Sequence, residues 1–361
     1  MSLRVGLLIN PIAGIGGQGG FKGSDADWKD ALDAGFEPVA PARAQRFVDG
    51  VEGVTWLCGP GAMGLPGLPC LEGGAVLGQT TGDDTRRIAK ELANHVDLLC
   101  FVGGDGTATD IAAAIGDGLP CLGIPGGVKI TSPVFAHDPD EAAWLVSHLQ
   151  PGFETTVRDV TDLDEVAYKA GRVETKLTGS LRVPLSPAIQ GGKAATTTET
   201  PLEPLVDQVM EDWDRDAAYL VGAGSVCKAI KAQFWGQPTL LGVDALLGDR
   251  IVETDLNGPA IEAFVAAQQA EGRQVRILLS TIGGQGMLLG RGTQVFTPNA
   301  LASVGWSNIW VVAPPEKLIG LKGLHVDSGD PSFDAEAPKH IRVTAGWHET
   351  RMVRVLHGPS G

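Results

Sequence analysis

Residues 1–150 alternate short, wholly apolar runs with stretches of helical spacing. The apolar run Leu3–Ile9 ends at Asn10-Pro11 and opens into the loop Ala13-Gly14-Ile15-Gly16-Gly17-Gln18-Gly19-Gly20. Residues 42–51 have helical spacing, 54–58 read as a second strand closed by Gly59-Pro60-Gly61, and 75–78 are a third candidate strand. Thr81-Gly82-Asp83-Asp84 resembles a capping box and opens a helix through Arg86, Ile88, Ala89 and Leu92. Residues 97–102 read as a buried strand that runs straight into Gly103-Gly104. A helix over 108–115, a strand over 121–124 and a helix over 138–149, capped by Asp138 or Asp140, complete this half. Strands alternating with helices predict βαβ units and a parallel sheet.

Beyond Pro151 the texture changes. Residues 155–163, 167–173 and 176–183 are strand-like and rich in β-branched side chains, and a polar, loop-like stretch follows over 190–198. Then α/β texture resumes. Residues 219–221 run into Gly222-Ala223-Gly224-Ser225 and a helix through Phe234, while 240–246, 275–280, 309–312 and 341–343 read as further strands. The expected organisation is two domains, 1–150 and 151–361, with glycine turns at strand ends facing a common cleft.

Composition sharpens that picture. Glycine makes up 50 of 361 residues, or about twice ordinary usage, without a Gly-X-Y period and with a normal 43% hydrophobic content. Collagen-like and disordered chains are thereby excluded. The glycines gather after apolar runs, where a backbone turns sharply or approaches a ligand closely. The net charge of −15 repels nucleic acid and anionic membranes, so neither is an expected partner. A phosphate-bearing ligand must then be held locally, by backbone N–H groups, a few cations or a metal ion.

Cys58, Cys70, Cys100, Cys121 and Cys227 are odd in number and lack C-x-x-C spacing. Free buried thiols are the expectation, pointing to a reducing cytosol. The N-terminal apolar stretch is too short for a signal segment, and no run approaches the ~20 residues of a membrane span. A soluble, cytoplasmic protein, acting as a homo-oligomer, is expected.

The sharpest chemical signal is Phe101-Val102-Gly103-Gly104-Asp105-Gly106-Thr107, set between a buried strand and a helix start. Ligands bind at strand C-termini in parallel sheets, and a helix start offers unpaired N–H groups to an anion. Gly103, Gly104 and Gly106 let the backbone approach phosphate oxygens, and Thr107 can donate or cap. Asp105 is the odd member. A carboxylate beside a phosphate cradle suggests metal binding or proton acceptance from an attacking hydroxyl, with a helix cap as the alternative. Gly224 and Lys228 form a second anion-friendly turn, or an ordinary βα turn. Gly283-Gly284-Gln285-Gly286 with Gly290-Arg291-Gly292 forms another close-approach loop, with Arg291 as cation or as plain surface residue. No Gly-x-x-x-x-Gly-Lys-Ser/Thr loop and no H-E-x-x-H motif occurs.

Asn10-Pro11, Gly-Gly-Asp-Gly-Thr at 103–107 and Gly-Ile-Pro-Gly-Gly-Val-Lys at 123–129 together resemble the ATP–NAD kinase superfamily. Asp110, Lys228, Leu241-Gly242-Val243-Asp244, Gly283-Gly284-Gln285-Gly286, Gly290-Arg291-Gly292 and Ile341-Arg342-Val343 are more closely similar to its AcoX-type branch. The resemblance implies an α/β, two-domain NAD-kinase-like fold: an N-terminal Rossmann-like parallel sheet and a β-rich C-terminal domain with further α/β elements. It implies ATP held by Gly103, Gly104, Gly106 and Thr107, with Asn10, Gly126, Gly127, Lys129, Gly224, Lys228, Asp244, Gly284 and Arg291 lining the nucleotide and acceptor site. It implies Mg²⁺ as cofactor, with Asp105 as base or metal-linked residue and Asp110 as a second metal ligand.

The departures bear on the acceptor. NAD kinases bind the NAD ribose through an Asn-Glu pair and carry a Gly-Ser/Thr-Ala-Tyr turn; both are missing here, and the only tyrosines are Tyr168 and Tyr219. The resulting expectation is an ATP-dependent kinase acting on a hydroxyl of NAD or of a small acetoin- or polyol-like metabolite. The alternatives are a nucleotide-binding regulatory protein without catalysis and a lipid kinase, since diacylglycerol kinases carry a similar turn. The acidic charge and the lack of a basic amphipathic helix argue against the last.

Overall fold

The computed structural model describes residues 2–20, 28–126, 130–163, 175–186, 188–189, 201–281, 286–290 and 292–357. The chain divides into two compact units, one drawn from residues 1–16 and 21–192, the other from 17–20 and 193–357. Both are α/β.

In the first unit a four-stranded parallel sheet has the order β2-β1-β3-β4, with β1 Leu3–Ile9, β2 Val54–Cys58, β3 Leu98–Gly103 and β4 Cys121–Pro125. Every residue of β3 and β4 is buried, as the continuous apolar runs predict for strands covered on both faces. Each buried Leu, Ile, Val or Phe here contributes about 1.5–3 kcal/mol. The helices are α1 Trp28–Asp33, α2 Ala40–Asp49, α3 Gly82–Ala93, α4 Asp105–Ile115 and α5 Pro139–His148. Thr81 and Asp84 close the expected capping box on α3, and the Asp138 carboxylate caps α5 by accepting from Glu141 N at 2.8 Å. Arg46 on α2 forks onto Asp140 at 2.9 and 2.6 Å, which pins α2 to the start of α5.

A long antiparallel hairpin, β5 Thr155–Leu163 and β6 Thr175–Pro184, belongs to this unit, so the expected boundary at residue 150 falls inside it. The reason is hydrogen bonding that the sequence pattern does not carry. The Ser132 hydroxyl donates to Thr161 O at 2.9 Å, and Thr109 and Thr178 share a hydroxyl–hydroxyl bond of 2.8 Å. Residues 75–78 are not a strand. Residues 75–76 have no regular structure and 77–79 form a turn, which leaves Val76 and Leu77 exposed. The candidate strand 167–173 lies outside the described residues.

The free-thiol expectation is corrected at two positions. Cys58 and Cys70 form a disulfide, while Cys100, Cys121 and Cys227 are free and buried. Residues 69–71 run alongside the end of β2, with Cys58 N donating to Pro69 O at 2.7 Å and Leu71 N to Cys58 O at 2.8 Å. A pairing across 12 residues of irregular chain has no local sequence signature. The cysteines therefore no longer argue for a reducing compartment.

In the second unit nine strands form one mixed sheet, in the order β11-β13-β15-β14-β12-β10-β7-β8-β9. They are β7 Ala218–Val221, β8 Val243–Leu247, β9 Arg250–Leu256, β10 Val275–Ser280, β11 Met287–Leu289, β12 Ile309–Val312, β13 Leu324–Val326, β14 His340–Gly346 and β15 Glu349–Leu356. Strands β7, β10, β12 and β14 run parallel, while β8, β9 and β15 supply the antiparallel pairings. The helices are α6 Glu203–Glu211, α7 Ser225–Lys231, α8 Gly258–Ala270, α9 Pro298–Val304 and α10 Pro331–Ala335. The period of two sorts the side chains onto two cores. Ala218, Leu220, Ile277 and Leu279 join one; Tyr219, Val221 and Leu278 join the other, where Trp213 stacks on Tyr219 at 3.7 Å. No helix among the described residues is long and apolar enough to cross a membrane.

Candidate functional site

Three strand ends of the first unit meet at one edge of its sheet. Asn10 follows β1, Gly104 follows β3 and Gly126 follows β4. The backbone ties them: Asn10 N donates to Val102 O at 2.9 Å and Gly126 N to Gly103 O at 2.8 Å. Gly126 is closely packed: a Cβ there would sit 3.2 Å from Gly103 N and 3.3 Å from the Ala40 Cβ, so a side chain would need its neighbours to give by a few tenths of an ångström.

The two outer glycines of the central turn serve different ends. A Cβ on Gly103 would collide with the Thr107 hydroxyl, so this glycine makes room for Thr107 and not for a ligand. Thr107 is itself buried, and its Oγ1 accepts from Asn10 Nδ2 at 3.0 Å. Asn10 and Thr107 thus brace β1 against α4. Gly106 is exposed, and a Cβ there would meet nothing within 4 Å. No atom of the described residues outside α4 requires glycine at 106. Gly104 is the N-cap of α4 and brings no side-chain cap. The first N–H groups of this eleven-residue helix therefore open beside a bare backbone, and the macrodipole adds positive potential there.

Asp105 is buried directly behind that turn. Its Oδ2 accepts from Thr131 N at 2.6 Å and Thr131 Oγ1 at 2.8 Å, and its Oδ1 from Ser132 N at 3.0 Å. Thr131 and Ser132 continue the network to Thr161 on β5. Burial pushes the Asp105 carboxyl above its ordinary value, and the donors from Ser132 and Thr131 pull it part of the way back. Sequence reasoning missed Thr131, Ser132 and Thr161. The paired hydroxyl residues after Gly-Ile-Pro-Gly-Gly-Val-Lys were the available signal, but their target depends on the fold.

The described residues do not bring Asp105 and Asp110, the expected metal pair, onto common partners: Asp105 is held by Thr131 and Ser132, while Asp110 lies elsewhere. Five residues along a helix rotate a side chain by about 500°, leaving the two carboxylates ~140° apart around the axis. Asp110 instead pairs with Arg86 of α3 and lies over Gly82. The carboxylates predicted to share Mg²⁺ thus face different elements.

Asp244 is also corrected. It is wholly buried in β8 and saturated: Oδ1 accepts from Thr239 Oγ1 at 2.7 Å and Asp255 N at 2.9 Å, Oδ2 from Thr239 N at 2.8 Å and Lys231 Nζ at 2.9 Å. Four donors use its four acceptor positions and leave none for a cofactor. Lys231, at 0% exposure, was missed because its partner lies on another element. Its pKa is lowered by burial, against the pull of Asp244. Lys228 is exposed on α7, and Gly224 precedes that helix at φ 108°, with open space where a Cβ would be. Gly127, Lys129, Gly284 and Arg291 lie outside the described residues.

Two families of known proteins match. Residues 68–152 match the ATP-NAD kinase N-terminal domain and residues 248–355 the ATP-NAD kinase C-terminal domain, together just over half of the chain. The chain belongs to the ATP-NAD kinase superfamily. The N-terminal match takes in β3, α4 and β4, so the open turn at Gly106 lies within the superfamily region, as do Asp105 and Asp110. Asn10, Lys228 and Asp244 lie outside both matched stretches. No curated protein sequence matches the chain. Solved structures named as diacylglycerol kinases from Bacillus anthracis str. Sterne align with 18% or 19% identity over 45% of this chain, with TM-scores of 0.22 to 0.24. Each alignment spans less than half of the other chain, 43% to 46%.

Proposed function

We propose that this superfamily member is an ATP-dependent phosphotransferase of the AcoX-type branch, acting on a hydroxyl of a small metabolite. The observation that carries the reading is the exposed Gly106 turn. It opens space that no side chain of the described residues uses, beside the first N–H groups of α4, which have no side-chain cap. Phosphoryl transfer depends on positioning and on neutralising charge over the transferred group, and a bare backbone at a helix start supplies donors for both.

In this reading ATP, when bound, supplies the phosphoryl group. The turn at 104–106 holds phosphate oxygens by backbone N–H groups. Asp105 takes the proton from the acceptor hydroxyl as its oxygen bonds to phosphorus and the bond to the ADP oxygen breaks. Burial favours proton uptake by this carboxyl, while Thr131 and Ser132 fix its orientation. A small acceptor is favoured over NAD. No Asn-Glu pair occurs in the chain, and Tyr219 is a core residue at 0% exposure, stacked on Trp213.

The test is ADP release from ATP and magnesium against NAD and a panel of polyols and hydroxyketones. The expected result is turnover with a member of the panel and none with NAD. Preferential turnover of NAD would replace the small acceptor, and no release with any hydroxyl compound would overturn the phosphotransferase reading. Asp105→Asn is expected to lower kcat by about 10²–10⁴-fold while ATP still binds. A second reading, nucleotide binding without catalysis, is favoured by one observation: both Asp105 oxygens are already occupied by protein donors. It requires ATP binding with no ADP release under the same conditions.

A further inference from the structure

The second unit carries a cavity at the end of its sheet where the parallel strands begin. Strand register builds it. Ala218, the first residue of β7, pairs with Val275, the first of β10, and with Leu247, the last of β8, and Ala218 N donates to Gln274 O at 2.9 Å. Three connections therefore converge there: residues 214–217 before β7, the turn at 247–248 between β8 and β9, and residues 272–274 between α8 and β10. They line an open cavity of about 580 Å³, within the size range of small-molecule sites. Gly248 and Gly272 take φ 59° and 77° in two of these turns, and beyond their chain neighbours no atom of the described residues lies within 4 Å of where a Cβ would be. The rim is open at both.

Four charged side chains line the cavity, two of each sign, and two of the four are engaged within the fold. Asp214 accepts from Asp216 N at 3.0 Å and from Arg276 Nη2 at 3.2 Å. Arg273 donates to Gln268 Oε1 at 2.7 Å and pairs with Glu271 at 3.3 Å. Arg215 and Asp216 differ. Both are exposed, and among the described residues neither the guanidinium nor the carboxylate has a hydrogen bond or an ion pair. The apolar part of the lining is Ala217, which is buried, and Leu247, which is half-buried.

We propose that this cavity binds a small zwitterion, of which an α-amino acid is the simplest case, with its carboxylate on Arg215 and its ammonium on Asp216. A guanidinium fork matches a carboxylate through two parallel N–H···O bonds, and an ionised Asp only accepts, as an ammonium requires. A dianion would be repelled by Asp216 and a dication by Arg215, whereas one charge of each sign answers both. Ala217 and Leu247 offer contact to an apolar side chain. Exposed ion pairs are individually weak, so the two must act together, and losing either removes most of the affinity. The site belongs to the second unit and goes beyond the phosphotransferase reading, which rests on the Gly106 turn of the first.

The test is calorimetric titration of the full chain at low salt with the common α-amino acids, one at a time, for wild type, Arg215→Gln and Asp216→Asn. At least one amino acid is expected to bind wild type, and each variant to weaken that binding tenfold or more. Thermal midpoints should stay at the wild-type value, because both side chains are exposed and hold nothing in the fold. For the amino acid that binds, the analogue without its amino group and the analogue without its carboxyl group should each bind at least tenfold more weakly. No binding by any amino acid would overturn the proposal, as would binding that either variant leaves unchanged. Equal binding of the analogue without the amino group would also overturn it, since a plain anion would then suffice. None of these readouts involves ADP release, so this proposal and the phosphotransferase reading fail separately.

Discussion

In the first unit β3 passes through Gly103 and Gly104 into α4, and the buried carboxylate behind the turn, Asp105, is held by two backbone N–H groups and a hydroxyl. In the second unit β7 passes through residues 222–224 into α7, whose last residue, Lys231, supplies the cation for buried Asp244. The local designs are alike, but the electrostatics differ. Asp244 faces the Lys231 ammonium and three further donors, from Thr239 and Asp255. Asp105 has donors without a counter-charge among the described residues, and desolvation raises its affinity for a proton. A group meant to exchange a proton needs the second arrangement; a group meant to pin strands together needs the first.

The largest expected effect tests the pinned pair. Lys231→Met leaves the Asp244 charge buried without its partner and should cost about 3–5 kcal/mol, read from urea unfolding. Lys231→Met combined with Asp244→Asn should recover part of that loss, because no net charge stays buried. A cost below about 1 kcal/mol for the single variant would mean that Asp244 is neutralised in another way, and the contrast with Asp105 would collapse.

The contrast was only half legible in the chain. Asp105 stands inside a compact motif, Gly-Gly-Asp-Gly-Thr, with an apolar strand before it and helical spacing after it, so its position follows from local pattern. Lys231 and Asp244 are thirteen residues apart on a helix and a strand, and only β7–β8 pairing brings them together. The same limit applies to the fold. Strand β10 is legible to the residue because four of the six residues in Val275–Ser280 are apolar and three of them are consecutive. Strand β9 is not, because Arg-Ile-Val-Glu-Thr-Asp-Leu lies at the sheet edge with most residues exposed and no alternation to mark it. Asp105 and Asp110 misled for a related reason: a motif supplies residue types, while helix phase decides which of them face one another.

Next in size is the packing of the first turn. Gly103→Ala forces a Cβ into the Thr107 side chain at a position with no slack, and should destabilise by about 1–3 kcal/mol in the same assay. A neutral outcome would show that Thr107 can move, and that Asn10 and Thr107 are not the brace between β1 and α4.

The Asp105 carboxyl gives a pH signature with a fixed sign. Its folded value lies above the 3.8 of an unperturbed aspartate, so the folded state binds this proton more tightly than the unfolded chain. Wild type should therefore gain stability relative to Asp105→Asn as pH falls through the folded value, with the gain complete below 3.8 and lost as pH rises again. Paired denaturant titrations of the two proteins across that window measure it. The opposite slope would mean that the donors from Thr131 and Ser132 outweigh burial at Asp105.

The smallest expected effect on stability is also the most selective for function. Gly106 sits in the first turn of α4 outside the left-handed region, and a methyl group there meets no atom of the described residues outside its own helix within 4 Å. Gly106→Ala should then leave the fold intact or stabilise it by about 0.4–1 kcal/mol, since alanine narrows the unfolded ensemble without straining the helix. The same methyl would occupy the space in which phosphate oxygens approach the backbone, so ATP binding should weaken even as the thermal midpoint holds or rises. Gly103→Ala and Gly106→Ala, three residues apart in one motif, are thus expected to move stability in opposite directions. If Gly106→Ala instead binds ATP as wild type does, the open turn is not where the phosphates lie, and Asp105 loses its claim on the reacting hydroxyl along with it.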